Sequence, residues 1–207
     1  MGIVLPEGIK KQVKTGAGIL KAGGVIAYPT DTVYGLGAAL EHVGAIRRIF
    51  SIKNRSCDIP LPLLVGDVAR IPDYVSELRP VALKLIDTFL PGALTLVMRR
   101  SAMVPDIVTA GGDTVAIRVP AHPVTLSLIR ETGSAITGTS ANLSGMPSLL
   151  TADEVQSQIG SEVDFIIDAG KWPGGTESTI VDVTGEIPVI LRDGAIPRSD
   201  IEKTSKF

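Results

Sequence analysis

The side chains best suited to chemistry in this 207-residue chain are cations and hydroxyls gathered where apolar runs end. Lys53 and Arg55 follow a helix-like stretch. Arg118 lies inside the run Val115-Ala116-Ile117-Arg118-Val119, and Arg192 closes the run from Val189. Thr32, Ser140, Asn142 and Ser178 fall in short polar loops. Lysine and arginine suit phosphate and carboxylate groups, arginine through a planar fork. Hydroxyls and an amide complete the hydrogen bonding around such an anion. A site of this kind needs no protein nucleophile, because positioning and charge stabilisation suffice for phosphoryl or nucleotidyl transfer. Each feature also has an ordinary explanation. In isolation Lys53 and Arg55 read more readily as a solvated pair than as ligand contacts, and the Ser- and Asn-rich loop reads also as a turn bonding its own backbone. Arg118 either meets a protein carboxylate or binds an anionic ligand, because a lone buried charge is expensive.

Several chemistries are excluded by what the chain lacks. It has two histidines, His42 and His122, and one cysteine, Cys57. No HExxH helix or cysteine cluster is present, so no metal site of protein side chains is expected. A single cysteine forms no intrachain disulfide, which fits a reducing compartment. There is no GxSxG elbow, no GxxxxGK[ST] loop and no GxGxxG after a strand. The net charge of −2 argues against a whole-surface nucleic-acid binder and leaves a local basic patch open. The amino terminus lacks a leader pattern, and no apolar run approaches the roughly 18 residues of a membrane span. A cytoplasmic setting without membrane attachment is expected.

Periodicity supplies the elements that must position these side chains. Apolar residues at spacings of three and four predict helices over 7–22, 41–52, 80–90 and 123–131. Thr151-Ala152-Asp153-Glu154 has capping-box spacing and predicts a helix to Ile159. Short apolar runs predict strands at 25–27, 61–65, 93–98, 115–120, 134–138, 164–168, 179–183 and 189–192. The first of these empties into Pro29-Thr30-Asp31-Thr32-Val33-Tyr34-Gly35-Leu36-Gly37, read as a polar loop whose glycines allow positive φ or a close approach. Lys53 and Arg55 project together only on an extended segment, which is the expectation here. Helices and strands interleave, yet several connections are short enough for hairpins. The prediction is therefore α/β, a twisted mixed sheet with packed helices. One domain spans 1–207, with a core of about 7–197 and a short charged carboxy-terminal tail, expected to fray.

The motifs, taken in order, resemble the YrdC-like threonylcarbamoyl-AMP synthases. They are Tyr28 to Gly37, Lys53-x-Arg55 with Pro60-Leu61, Phe89-Leu-Pro-Gly-Ala-Leu-Thr95, Ala116-Ile-Arg-Val-Pro-Ala-His-Pro123, Ser140-x-Asn142, Ser178-Thr-Ile-Val-Asp182 and Leu191-Arg-Asp-Gly194. The resemblance runs from about Gly16 to Ile196. It implies a short, single-domain nucleotidyltransferase with a positively charged concave cavity. L-Threonine, bicarbonate or CO2, and ATP with Mg2+ would give threonylcarbamoyl-AMP and pyrophosphate, for threonylcarbamoyladenosine in tRNA. A downstream threonylcarbamoyl transferase complex would take the product.

Carried over by position, the resemblance implies that Lys53, Arg55, Ser140 and Asn142 form a tetrad at the phosphates and reaction centre. It implies threonine contacts from Thr32, Arg118 and Ser178, with Arg118 on the carboxylate. Nucleotide contacts are implied for Arg55, Ser140, Arg192, Thr114 and Ser148. Three positions depart from the pattern: Leu64 where many members carry histidine, Ile59 where many carry asparagine, and Ser56 where proline is frequent. An alternative within the resemblance is a tRNA- or double-stranded-RNA-binding module using the same cavity without turnover. A carbamoyl-transfer unit would require zinc-finger and acylphosphatase-like domains that this chain lacks.

Overall fold

The computed structural model describes residues 4–170 and 174–205. The glycine-rich segment 170–178 therefore lies partly outside the described residues. Chain order is α1 (Glu7–Lys21), β1 (Ile26–Tyr28), β2 (Gly35–Gly37), α2 (Val43–Ile52), β3 (Leu63–Leu64), a 3-10 turn (Val68–Arg70), α3 (Ile71–Tyr74), α4 (Pro80–Phe89), β4 (Leu94–Arg99), α5 (Asp106–Thr109), β5 (Thr114–Arg118), α6 (Pro123–Thr132), β6 (Ile136–Thr137), β7 (Thr139–Ser140), α7 (Ala152–Ile159), β8 (Phe165–Ile166), β9 (Thr179–Asp182), β10 (Val189–Arg192) and α8 (Arg198–Ser205). Among the described residues no helix is long and apolar enough to cross a membrane.

The expected mixed α/β architecture is present, divided into two sheets. One has order β7-β2-β1-β8 and the other β10-β9-β4-β5-β3-β6; both contain parallel and antiparallel pairs. The segment 136–140 joins them. Its first half pairs with β3 in the larger sheet and its second half with β2 in the smaller one. Gly138 is the joint, and a Cβ there would meet the Leu64 side chain at 2.5 Å.

Side-chain alternation sorts the larger sheet into two faces. Leu94, Leu96 and Met98 of β4, Val115 and Ile117 of β5, and Val181 of β9 enter the main core. Thr95, Val97, Ala116, Arg118 and Ile180 face the other way. In β4 and β5 the core face is apolar at every position, so register is strongly fixed there and the second face is free to carry function. A separate cluster packs α1 on α6 through Val13, Ala17, Leu20, Val124 and Leu128.

Three expectations change. Gly35-Leu36-Gly37 is a strand, not a loop, antiparallel to β1 with Tyr28 opposite Gly35. The Tyr28 ring fills the space a Cβ would need: 2.6 Å from Gly35, and 3.0 Å from Gly37, whose Cβ would also meet the Thr137 carbonyl oxygen. Neither glycine has positive φ, so close approach is their reason. Lys53 to Arg55 is a turn, not an extended segment. Lys53 caps α2, Asn54 has φ 50°, the Asn54 N–H donates to Ser51 O, and the Arg55 N–H donates to Phe50 O. This is a Schellman closure with asparagine at the left-handed position. The charged tail is not frayed through Ser205: it forms α8, because Ile201 is buried in the main core.

Candidate active site

The loop after β1 organises itself around Thr30. Its hydroxyl accepts from the N–H groups of Thr32 and Val33 and donates to Val33 O at 2.6 Å. Its single proton is thus committed, so Thr32 is the donor in the 3.0 Å bond between the two hydroxyls. Thr32 also accepts from Arg118 Nη1 at 2.8 Å. Arg118 Nη2 pairs with Asp31 Oδ1 at 2.6 Å, and Nε donates to Gly92 O at 2.9 Å. Arg118 therefore does meet a protein carboxylate, yet three of a guanidinium's five N–H donors are used and two remain. Burial pulls its pKa down and Asp31 opposes the shift. His122 is fully buried nearby. Burial holds its pKa down to about 4, with the Asp31 charge acting the other way.

Lys53 is 2% exposed, and its ammonium is spent on one loop. Nζ donates to Ser140 O at 2.5 Å, Asn142 O at 2.5 Å and Asn142 Oδ1 at 3.3 Å, which accounts for all three protons. The loop returns a bond, Ser144 N–H to Lys53 O at 3.0 Å. Asn142 is oriented further by its Nδ2 donating to Met146 O. Burial, with Arg55 nearby, pushes the Lys53 pKa down to about 8. Lys53 and Asn142 thus stand behind the wall that Ser140 presents. The Ser140 hydroxyl itself has no partner among the described residues.

The third group lies on β9, β10 and β4. Arg192 donates to Ser178 O through Nε at 3.1 Å and Nη2 at 2.8 Å, and Nη2 also reaches Ser178 Oγ at 3.2 Å. Its Nη1 pairs with Glu177, whose other oxygen accepts from Ser148 Oγ at 2.8 Å. Ser178 Oγ shares a 2.8 Å bond with Thr95 Oγ1 on β4.

These groups converge on a cleft of about 370 Å3 over the open face of the larger sheet. Val97, Ala116, Ile180 and Leu64 form its apolar floor. Thr32, Arg55, Arg118, Ser140, Ser178 and Arg192 line it, as do Thr95 and Glu177. Arg55 donates from Nη2 to Pro60 O at 2.9 Å, while its buried Nε has no partner among the described residues. Burial lowers its pKa. Between Arg55 and Ile59 the loop exposes Cys57. Of the three departures from the motif, Ile59 and Leu64 line the cleft and Ser56 does not. Ser148 reaches the site through Glu177. Thr114 stands on the same face of β5 as Ala116 and Arg118, at the strand's start and outside the lining.

Sequence reasoning missed three polar lining residues, Thr95, Thr139 and Glu177. Thr95 is a lone hydroxyl in the apolar run Leu94 to Met98, a pattern break that was visible. Glu177, between the glycine-rich segment and Ser178, gave no signal because its meaning lies in pairing Arg192 and Ser148. Asp31, in the polar loop after β1, pairs with Arg118 across the cleft wall.

The chain is thus an α/β protein whose sheet-floored cleft is lined by three arginines. Over residues 18–194 the chain matches the Sua5/YciO/YrdC family, described as telomere recombination, and it belongs to that family. It is 40% identical over 192 residues to the threonylcarbamoyl-AMP synthase of Pyrococcus abyssi and 41% identical over 193 residues to that of Bacillus subtilis. These matches cover 93% and 92% of this chain and 56% of each relative, so the chain spans about half their length. The structure of P. abyssi Sua5 complexed with L-threonine superposes with a TM-score of 0.90 at 40% identity, covering 93% of this chain and 56% of that one.

Proposed function

We propose that the cleft binds L-threonine, bicarbonate or CO2, and ATP, and makes threonylcarbamoyl-AMP with release of pyrophosphate. The observation that carries this reading is convergence. Six motif residues from six separated segments line one cleft, in a chain about 40% identical to threonylcarbamoyl-AMP synthases. The spare Arg118 donors suit the threonine carboxylate, and Thr32 and Ser178 flank them. Arg55, with its unpartnered buried Nε, suits an anion, and together with Ser140 and Arg192 it suits the triphosphate. Ser148 and Thr114 extend that side.

The chemistry proceeds in two balanced steps. The threonine amine adds to CO2, forming the N–C bond and losing a proton. A carbamate oxygen then displaces pyrophosphate from the α-phosphorus. Both reactants of the second step are anionic, so the arginines lower the barrier by offsetting charge that grows as they approach. Lys53 and Asn142 hold the loop that aims Ser140. Among the described residues no cluster of three or more His, Cys, Asp or Glu could hold a metal ion, and Glu177 is the carboxylate lining the cleft. Magnesium would be held by the nucleotide phosphates and water, with Glu177 the carboxylate at hand, and would there neutralise the phosphates' charge. The product would pass to the transferase complex that acts on tRNA.

Pyrophosphate release from ATP, with threonine and bicarbonate omitted in turn, tests the reading. Release should require both. Release independent of either overturns it.

A further inference from the structure

Thr95 and Ser178 are 2% and 5% exposed, line the cleft floor, and share one hydrogen bond. Two hydroxyls carry two protons, and one is spent on the shared bond. The other has no acceptor among the described residues, whichever hydroxyl donates. Arg192 donates to Ser178 Oγ and cannot accept. The pair therefore presents one surplus O–H donor to the cleft and keeps a spare lone pair. That valence matches a neutral hydroxyl, which donates once and accepts. A carboxylate, which only accepts and carries charge, is better served by a guanidinium.

Position supports the same match. In the β4–β5 register Leu96 faces Ile117, so one step further Thr95 stands opposite Arg118 on the same face. Directly opposed Cβ atoms lie about 5 Å apart. A single amino acid spans from a carboxylate on Arg118 to a side-chain hydroxyl at Thr95. Val97, Ala116 and Ile180 supply the apolar ground for a methyl group.

We propose that Thr95, acting with Ser178, is the specificity residue that reads the substrate's side-chain hydroxyl. The inference rests on the synthase reading above. A site built to bond a hydroxyl rejects the analogue lacking it, because its own buried groups are then left unpaired.

The test compares kcat/KM for L-threonine and L-2-aminobutyrate, in bicarbonate-dependent pyrophosphate release, for the wild type, Thr95→Val and Thr95→Ser. Wild type should prefer threonine. Thr95→Val should lose about tenfold or more on threonine, the order expected for one hydrogen bond, and bring the two substrates towards equality. Thr95→Ser should restore the preference. Circular dichroism and ATP affinity confirm that the variants are folded. If Thr95→Val keeps the wild-type ratio, or loses both substrates equally, the inference alone is overturned. If wild type responds to neither amino acid, the synthase reading fails and takes the inference with it.

Discussion

Lys53 shows how far a residue's type under-determines its role. Its spacing from Arg55 suggests a cation offered to an anionic ligand, yet every proton on its ammonium is spent inside the protein. It organises the Ser140–Asn142 loop by collecting two carbonyls and an amide oxygen that would otherwise lie buried without donors. Removing a partner from a buried carbonyl costs about 1–3 kcal/mol. Lys53→Ala should therefore lower the urea midpoint as well as abolish pyrophosphate release. Normal turnover would remove Lys53 from the mechanism; lost turnover with unchanged stability would mean its contact is with substrate. Arg118 is the complementary case. The sequence left open a protein carboxylate or an anionic ligand, and the structure supplies the carboxylate while leaving two donors unspent.

Among elements, those whose reason is periodic were legible in advance. Alternation in β4, β5 and β9 and the three-four spacing of α1, α2, α4 and α6 place them within a few residues. The Thr151–Glu154 capping box is present as read. What stayed hidden depends on a partner elsewhere in the chain. Gly35 to Gly37 becomes a strand because the Tyr28 ring lies across it, and α8 forms because one isoleucine among charges reaches the core. The turn at Lys53 was hidden because Asn54 adopts positive φ, which its type permits without requiring. Of the cleft, the cations and the Ser-x-Asn loop were legible, whereas Thr95 and Glu177 gain their meaning from cross-strand and cross-loop bonds. The turn makes a direct prediction. Left-handed backbone costs an ordinary residue about 1–2 kcal/mol. Asn54→Ala should lower stability by about 1 kcal/mol in urea melts, while Asn54→Gly stays within a few tenths. Equal stability of the two variants would show that the closure of α2 does not depend on this position.

At the scale of the molecule, two sheets are stitched by one segment, and the cleft lies where the larger sheet leaves a face uncovered. Beneath that corner the buried His122 ties global stability to pH. Its native pKa of about 4 lies below the unfolded value near 6.5. Between these limits the unfolded chain binds more protons, so stability rises with pH across that window and falls as pH drops through it. The whole excursion amounts to at most about 3 kcal/mol. Urea melts from pH 4 to 7 should show this slope, and His122→Gln should flatten it. A variant as acid-sensitive as wild type would assign the slope to other groups.

The loop that carries Arg55 to the cleft also holds Cys57, the chain's one thiol, exposed between two lining residues. With no second cysteine to compete, a thiol-reactive dye attaches at a single defined point on the cleft mouth. The molecule thus comes with its own mounting for an optical reporter. Occupancy of the cleft becomes observable as fluorescence, separately from whether anything is turned over.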